Sequence, residues 1–407
     1  MVCSQFVTVL LIAITVSIVG SPTGSDNVVP CRIPNETDDG TCVDLKKCPA
    51  FQKINHVEMM ANTSRVSFIR ELQCGDDEQV MICCPQSIDS YRKPWISMDV
   101  EPRVRFGIRT RTSVGHLGDA DDNECGLVTF GNRILRGNIA QIDEFPWAAL
   151  LKYNKRFPGC GAVLISRNFV ITAAHCLIGG EYNTYGPLEL VRLREYNLLE
   201  DRDCEVQEEM LDCIHEGKLD KKPLAIIVHP DYQESSADHY HDIGLIEIDL
   251  TEEFSDFLRP ICLPEQGRLT GLKRDCILTV CGWGWTDFFQ DRNGNALSPI
   301  KMKAKLPFVE QSECQKNFTG YQLISGQICA GGRWQDSCNG DSGSPLMYFD
   351  WKNGVWVLSG IVSIGRKDCG TVGSPGIYTS VVEYLPWIKL AQTNRNRALN
   401  SQRDSAK

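Results

Sequence analysis

The chain has 407 residues, a formal charge of −10 at pH 7, and hydrophobic and charged fractions of 42% and 23%. That length allows more than one domain with a sizeable core, and the composition excludes a chain dominated by disorder. The acidic balance excludes the basic face that nucleic-acid binding needs, so no nucleic-acid partner is expected.

An uncharged run from Phe6 to Val19, followed by Gly20, Ser21 and Pro22, is too short to span a bilayer comfortably. It reads as a signal peptide over residues 1–24. No later segment is long enough to cross a membrane, so no insertion is expected once the signal is gone. Nineteen cysteines agree with an oxidising destination, because a cytosolic chain would keep them reduced. Losing Cys3 with the signal leaves an even number, suited to complete pairing. Asn35, Asn62 and Asn317 each begin an Asn-X-Ser/Thr sequon and are expected glycosylation sites in a secreted protein.

Six cysteines crowd between Cys31 and Cys84. A domain over 30–85 is too small to hold together by apolar burial alone, and disulfides worth about 2–4 kcal/mol each are the usual remedy. Adjacent Cys83 and Cys84 cannot easily bond to each other and should reach different partners. Zinc is disfavoured, since no paired Cys-x-x-Cys is present. From 86 to 124 the cysteines stop and Arg, Gly, Pro, Ser and Asp dominate, which describes an exposed linker. Residues 125–133 end the front portion.

From Ile134 the pattern is short β-type runs separated by turn residues: Ala162–Ile165, Phe169–Thr172, Leu190–Leu193, Ile243–Ile248, Ile277–Val280 and Val355–Val362. This spacing predicts an all-β, antiparallel barrel or sandwich over 134–393. A closing helix is predicted at Val381–Ala391, followed by a mobile polar tail over 394–407.

Peptide-bond acyl transfer needs a nucleophile, a base that takes its proton, and a group that fixes the base's tautomer. Gly340-Asp341-Ser342-Gly343-Ser344-Pro345-Leu346 offers a nucleophile loop whose glycines let backbone N–H groups turn towards a developing oxyanion. Ala173-Ala174-His175-Cys176 offers the base, and His241-Asp242-Ile243-Gly244 a carboxylate at the head of a strand. A lone Ser, His or Asp is usually structural. Together, in this order and with these flanks, they point to one active site.

With these motifs the chain from Ile134 to Gln392 resembles the chymotrypsin-like serine proteases. The resemblance implies two packed six-stranded β-barrels with a cleft between them. It implies His175 as general base, Asp242 as its orienting carboxylate, Ser342 as nucleophile, and the N–H groups of Gly340 and Ser342 as oxyanion hole. Cys281-Gly282-Trp283-Gly284 matches the family's Gly-Trp-Gly segment. Asp336 falls where trypsin-like members hold an acid at the base of the primary pocket, and the resemblance implies Gly365 and Gly376 as its walls. A buried carboxylate there selects Arg or Lys before the cut bond. Ile364 replaces the aromatic residue usual beside that pocket. Arg133-Ile134-Leu135-Arg136-Gly137 matches the activation junction: cutting after Arg133 would free an Ile134 amine to pair with Asp341 and order the site.

Family matching implies bridges Cys160–Cys176, Cys314–Cys329, Cys338–Cys369 and Cys125–Cys262, and Cys204–Cys213 are expected to close a local loop. Cys276 and Cys281 have no assigned partner, and Tyr348 stands where one family cysteine would be. Glu195 and Asn197 fall where some relatives hold calcium, with Glu200, Asp201 and Asp203 nearby, so a structural Ca2+ is possible although no cofactor is required. His239 and His241 form a His-x-His read as an exposed loop rather than a metal site.

The cysteine order over 31–84 resembles the clip domain of arthropod extracellular proteases, which implies pairs Cys31–Cys83, Cys42–Cys74 and Cys48–Cys84. The combined resemblance implies a secreted zymogen in a haemolymph-like fluid, acting in innate immunity, melanisation or Toll-type signalling. Its implied partners are protein substrates (other zymogens or a cytokine precursor), an upstream activating protease and serpin-type inhibitors. Two alternatives are a catalytically dead homologue, which would typically replace the nucleophile, and a digestive enzyme, which needs no front domain.

Overall fold

The computed structural model describes residues 29–32, 39–44, 48, 73–74, 81–84, 124–127, 139–207, 210–264, 276–285, 297–318, 320, 322–332, 340–364 and 374–405. In the front portion, strands β1 (Val29–Arg32), β2 (Asp39–Asp44), β3 (Gln73–Cys74) and β4 (Met81–Cys84) form one antiparallel sheet in the order β1-β2-β4-β3. Pro30 cannot donate to a ladder and lies on the edge strand, where that loss is tolerated. Disulfides join Cys31 to Cys83, Cys42 to Cys74 and Cys48 to Cys84, with Cα separations of 5.7, 5.8 and 5.5 Å. Cys83 and Cys84 thus reach different partners.

The larger portion begins with β5 (Ala148–Tyr153), β6 (Gly161–Leu164) and β7 (Phe169–Thr172), whose apolar and β-branched residues are almost all buried. A 3-10 turn (Ala174–Cys176), helix α1 (Gly180–Tyr185) and β8 (Leu188–Leu193) follow. Next come the hairpin of β9 (Cys204–Gln207) and β10 (Met210–Cys213), then β11 (Leu219–Lys221), β12 (Ala225–Val228) and β13 (Gly244–Glu247).

Seven strand segments form one sheet, β11-β8-β5-β6-β7-β13-β12, whose two edge segments lie only three residues apart in the chain, so the expected first barrel stands here as a sheet curled round onto one interrupted strand. Asp220 of β11 faces Arg192 of β8, and both guanidinium–carboxylate contacts measure 2.7 Å. A charged edge of this kind discourages a further strand from pairing.

The second half meets its expectation. Strands β14 (Ile277–Gly282), β15 (Met302–Val309), β16 (Gln327–Gly331), β17 (Pro345–Asp350), β18 (Val355–Ile364) and β19 (Pro375–Ser380) close into a six-stranded barrel, with the short helix α2 (Gln311–Cys314) between β15 and β16. One buried cluster joins the two halves, with Trp147, Leu150 and Ile171 on one side and Trp283, Met347 and Leu358 on the other.

Helix α3 (Val381–Ser405) packs Val381, Leu385 and Ile388 on that cluster. It continues well past Ala391, so the segment expected to be a mobile tail is helical to Ser405. No Gly or Pro interrupts 387–405, Ala, Leu, Gln and Arg there favour helix, and Arg395 pairs with Glu247.

Candidate active site

Ladder register brings the base and its carboxylate together. Strand β7 pairs with β13 so that Gly244 faces Thr172. Asp242, two residues before Gly244, therefore meets His175, three residues after Thr172. His175 Nδ1 lies 2.8 Å from Asp242 Oδ2, and the His175 backbone N–H donates to Oδ1 at 2.9 Å. Asp242 is fully buried and accepts a third bond, from Ser363 Oγ at 2.6 Å. Its backbone carbonyl accepts from Thr379 Oγ1 at 2.8 Å. Burial alone would raise the carboxyl's pKa; the charge and hydrogen bond of His175, with the Ser363 donor and the nearby His239 ring, hold it well below the ordinary range. An ionised carboxylate only accepts, so the proton between the two sits on Nδ1 and leaves Nε2 as the basic nitrogen.

Disulfide Cys160–Cys176 holds the turn carrying His175 against the start of β6, with a Cα separation of 6.1 Å. Ser342 is anchored to the same strand: its carbonyl accepts from Gly161 N at 2.8 Å. Gly343 has φ +81°, and a Cβ there would meet Thr172 Oγ1 at 2.2 Å and the Gly161 carbonyl at 2.3 Å. Only glycine allows that approach, which seats the serine loop beside the strand that leads to His175. Gly340, with φ +96°, opens the same loop.

The Gly-Trp-Gly segment has a visible purpose. A Cβ on Gly282 or Gly284 would stand 2.3 Å from a carboxylate oxygen of Asp341, and Gly284 N donates to Asp341 Oδ1 at 2.8 Å. The two glycines thus form a cradle for the residue before Ser342. Trp283, between them, donates its indole N–H to the Tyr196 carbonyl at 3.1 Å.

Gly376 is buried on β19, paired with Ala330. Asn317 is half-buried at the end of a 3-10 turn, Gln315–Asn317. Arg133, Ile134, Asp336, Gly365, Cys338, Cys369, Asn35 and Asn62 lie outside the described residues. Further disulfides join Cys125 to Cys262, Cys204 to Cys213 and Cys314 to Cys329. Cys276 is also disulfide-bonded, with its other half outside the described residues. Cys281 is a buried free thiol whose pKa burial pushes up.

Ser363 and Thr379 went unread in the sequence: they reach Asp242 from strands of the second barrel, and nothing in their local sequence marks that contact. The sequence marks His239, but only as part of an exposed loop. Its ring lies 5.6 Å from that of His175, and its Nδ1 lies 3.7 Å from Asp242 Oδ2. The loop expected to be exposed is instead half-buried, with left-handed φ values of +49° at His239 and +58° at His241. His175, His239 and Asp242 offer ligand atoms within 4.8 Å of one another. Since Asp242 Oδ2 already accepts from His175 and Ser363, a metal there would compete with the pair's own bond.

The residues expected to hold calcium are buried and already compensated. Lys218 Nζ lies 2.9 Å from Glu195 Oε1 and donates to the Asn197 carbonyl at 2.9 Å. Arg192 lies 3.4 Å from Glu195 Oε2. Asp203 accepts from the backbone N–H groups of Tyr196 and Asn197 at 2.8 and 3.1 Å. Burial and the charge of Asp203 push the Glu195 carboxyl up to about 7, against the pull of Lys218 and Arg192. This donor set does not fit a divalent ion, because an ammonium stands on it.

Comparison with known proteins agrees with the geometry. The Trypsin family matches residues 134–388, and the regulatory CLIP domain of proteinases matches 31–84. CLIP domain-containing serine protease B8 of Anopheles gambiae is 45% identical over 375 residues, covering 90% of each chain. Phenoloxidase-activating factor 1 of Holotrichia diomphalia is 36% identical, over 88% of this chain and 92% of its own. The Spaetzle-processing enzyme of Drosophila melanogaster is 33% identical, over 88% and 90%. No helix among the described residues is long and apolar enough to cross a membrane. A trypsin fold behind a disulfide-stapled front sheet, with histidine, aspartate and serine held on its strand ends, places this chain in the clip-domain branch of the trypsin family of serine endopeptidases.

Proposed function

We propose that this protein is a secreted zymogen of an extracellular proteolytic cascade, cut after Arg133 to give an endopeptidase that cleaves other proteins after Arg or Lys. The observation that carries the reading is the buried His175–Asp242 pair, 2.8 Å apart, with the glycine-bounded Ser342 loop seated on the strand leading to it. In this reading Ser342 Oγ attacks the peptide carbonyl carbon while His175 Nε2 takes its proton. Asp242 stays ionised and stabilises the imidazolium. The N–H groups of Gly340 and Ser342 receive the oxyanion. His175 then passes its proton to the leaving amine, and water repeats the sequence on the acyl-serine.

Substrate choice rests on Asp336, whose carboxylate would pair with an Arg or Lys side chain between Gly365 and Gly376. Activation rests on Asp341. The Gly282–Gly284 cradle fixes its carboxylate, so an Ile134 amine pairing with it would order the oxyanion loop at its base. Cys125 precedes the cut and Cys262 follows it, so their bridge would keep the front portion attached afterwards. Cascade membership is supported by relatives named for activating phenoloxidase or processing Spaetzle, which suggests protein precursors as substrates. An upstream trypsin-like protease would make the Arg133 cut, and serpin-type inhibitors would end activity. Cys281 aside, the described cysteines are all bridged, which suits extracellular fluid.

The test is cleavage at Arg133, confirmed by a new N-terminus at Ile134, followed by assay on Arg, Lys and neutral peptide substrates and on candidate precursors. Hydrolysis after Arg and Lys that an Arg133→Ala chain never develops is expected. A correctly cut chain with no peptidase activity would overturn the reading.

A further inference from the structure

We infer that the Lys218 ammonium is the resident cation of the 195–205 loop, so that the fold takes no calcium there. A calcium ion would need about six to eight oxygens at roughly 2.3–2.6 Å. The oxygens this loop turns inward are instead gathered by nitrogen. Nζ takes Glu195 Oε1 and the Asn197 carbonyl at 2.9 Å each, and it stands 4.0 Å from Asp203 Oδ1. Asn197 Oδ1 is occupied as well, accepting from Leu199 N at 3.1 Å.

Cations already answer the buried carboxylates: Lys218 lies against Glu195 and Asp203, and Arg192, which also holds Asp220, lies against Glu195. Lys218 is held in place by backbone: it directly precedes β11, whose Leu219 pairs with Leu193 of β8, two residues before Glu195. Its side chain is 14% exposed, so the ammonium is mostly withdrawn from water. A fixed cation on a covalent stem differs from a bound ion in one respect. It cannot be diluted or chelated away.

The loop it secures supports the active site. The Tyr196 carbonyl accepts from Lys301 N and from the Trp283 indole, and its hydroxyl donates to the Ala140 carbonyl at 3.1 Å. Trp283 lies between the two glycines that cradle Asp341. Lys218 therefore stabilises the outer end of a packed path to the activation carboxylate, whatever the calcium content of the surrounding fluid.

The experiment is thermal unfolding of the full uncleaved chain with EDTA and with about 5 mM calcium, a concentration that fills weak extracellular sites. The wild type should shift by less than about 1 °C between the two, a change smaller than one interaction's worth of stability. Lys218→Ala should unfold roughly 10 °C lower and become calcium-sensitive, since it removes the cation that Asp203 and Glu195 share and leaves only Arg192, itself shared with Asp220, beside Glu195. Lys218→Arg should restore calcium-indifferent unfolding. Should the alanine variant fail to fold, the double variant Glu195→Gln/Lys218→Ala, which removes one charge of each sign, should fold and remain calcium-indifferent. A wild type that calcium raises by several degrees, or an alanine variant that calcium does not move, overturns the inference.

Discussion

Two buried acidic sites in this molecule solve the same problem with different partners. Asp242 is fully enclosed and answered by the His175 imidazole, whereas Glu195 and Asp203 are answered by the Lys218 ammonium and the Arg192 guanidinium. Both arrangements offset the desolvation of charge by close donors. The difference lies in what the partner does with a proton. Imidazole gives and takes one near neutral pH, so the first site is fitted to chemistry. The ammonium keeps its protons, so the second is fitted to permanence.

The sharpest way to break this contrast is Asp242→Asn, which should lower kcat by about 10⁴-fold, the order found for Ser-His-Asp enzymes in general, by favouring the wrong His175 tautomer. Thermal unfolding should change far less, and a comparable fall in both would erase the distinction between the sites. Next is Gly284→Ala. Its Cβ would fall 2.3 Å from Asp341 Oδ2 and displace the carboxylate beside the nucleophile. Activity should drop roughly 100-fold, the order of a 1 Å misplacement. Normal kinetics with intact folding would show that the cradle is not needed.

The two sites also carry opposite pH signatures. Asp242 is depressed when folded, so its stability contribution is present above the unfolded carboxyl pKa and is lost on acidification below it. Glu195 is raised from 4.5 to about 7, so the folded state holds its proton longer and stability falls as pH rises through that window. Glu195→Gln should remove that decline, about 1–3 kcal/mol between pH 4.5 and 7, as read by denaturant unfolding at several pH values. An unchanged slope would contradict the assignment.

Ser363→Ala has a smaller expected effect. Losing one of the donors to Asp242 Oδ2 should reduce kcat about tenfold, the worth of a charge-assisted hydrogen bond, while KM for short substrates stays within a factor of two. A larger rise in KM than fall in kcat would place Ser363 in substrate binding instead. The smallest effect concerns Cys281, whose thiol is buried and held protonated. It should resist alkylation in the native chain and react on unfolding; rapid native labelling would deny its burial.

Much of the site was legible because its parts are contiguous: Ala173–Cys176, His241–Gly244 and Gly340–Leu346 each carry their chemistry within a few residues. Strands β6, β7 and β18 were legible for a similar reason, being runs of buried apolar residues. Strand β15 was not. Lysines at 303 and 305 and Pro307 mask a strand that only its ladders with β14 and β16 stabilise. The helix beyond Ala391 was hidden by polar composition, although that composition favours helix once a first turn is packed. Ser363, Thr379 and Lys218 escaped because each acts on a residue tens to more than a hundred positions away. Local sequence carries no trace of such contacts.

The central claim is that Ser342, activated through His175 and Asp242, does the chemistry in the cleaved chain. Stoichiometric titration with an organophosphate or sulfonyl fluoride serine reagent tests it most directly. The chain cut after Arg133 should take up one equivalent on Ser342 and lose activity in proportion, while the uncut chain and Ser342→Ala take up almost none. Cleaved chain that stays unlabelled, or labelled on another residue with activity intact, would contradict the account.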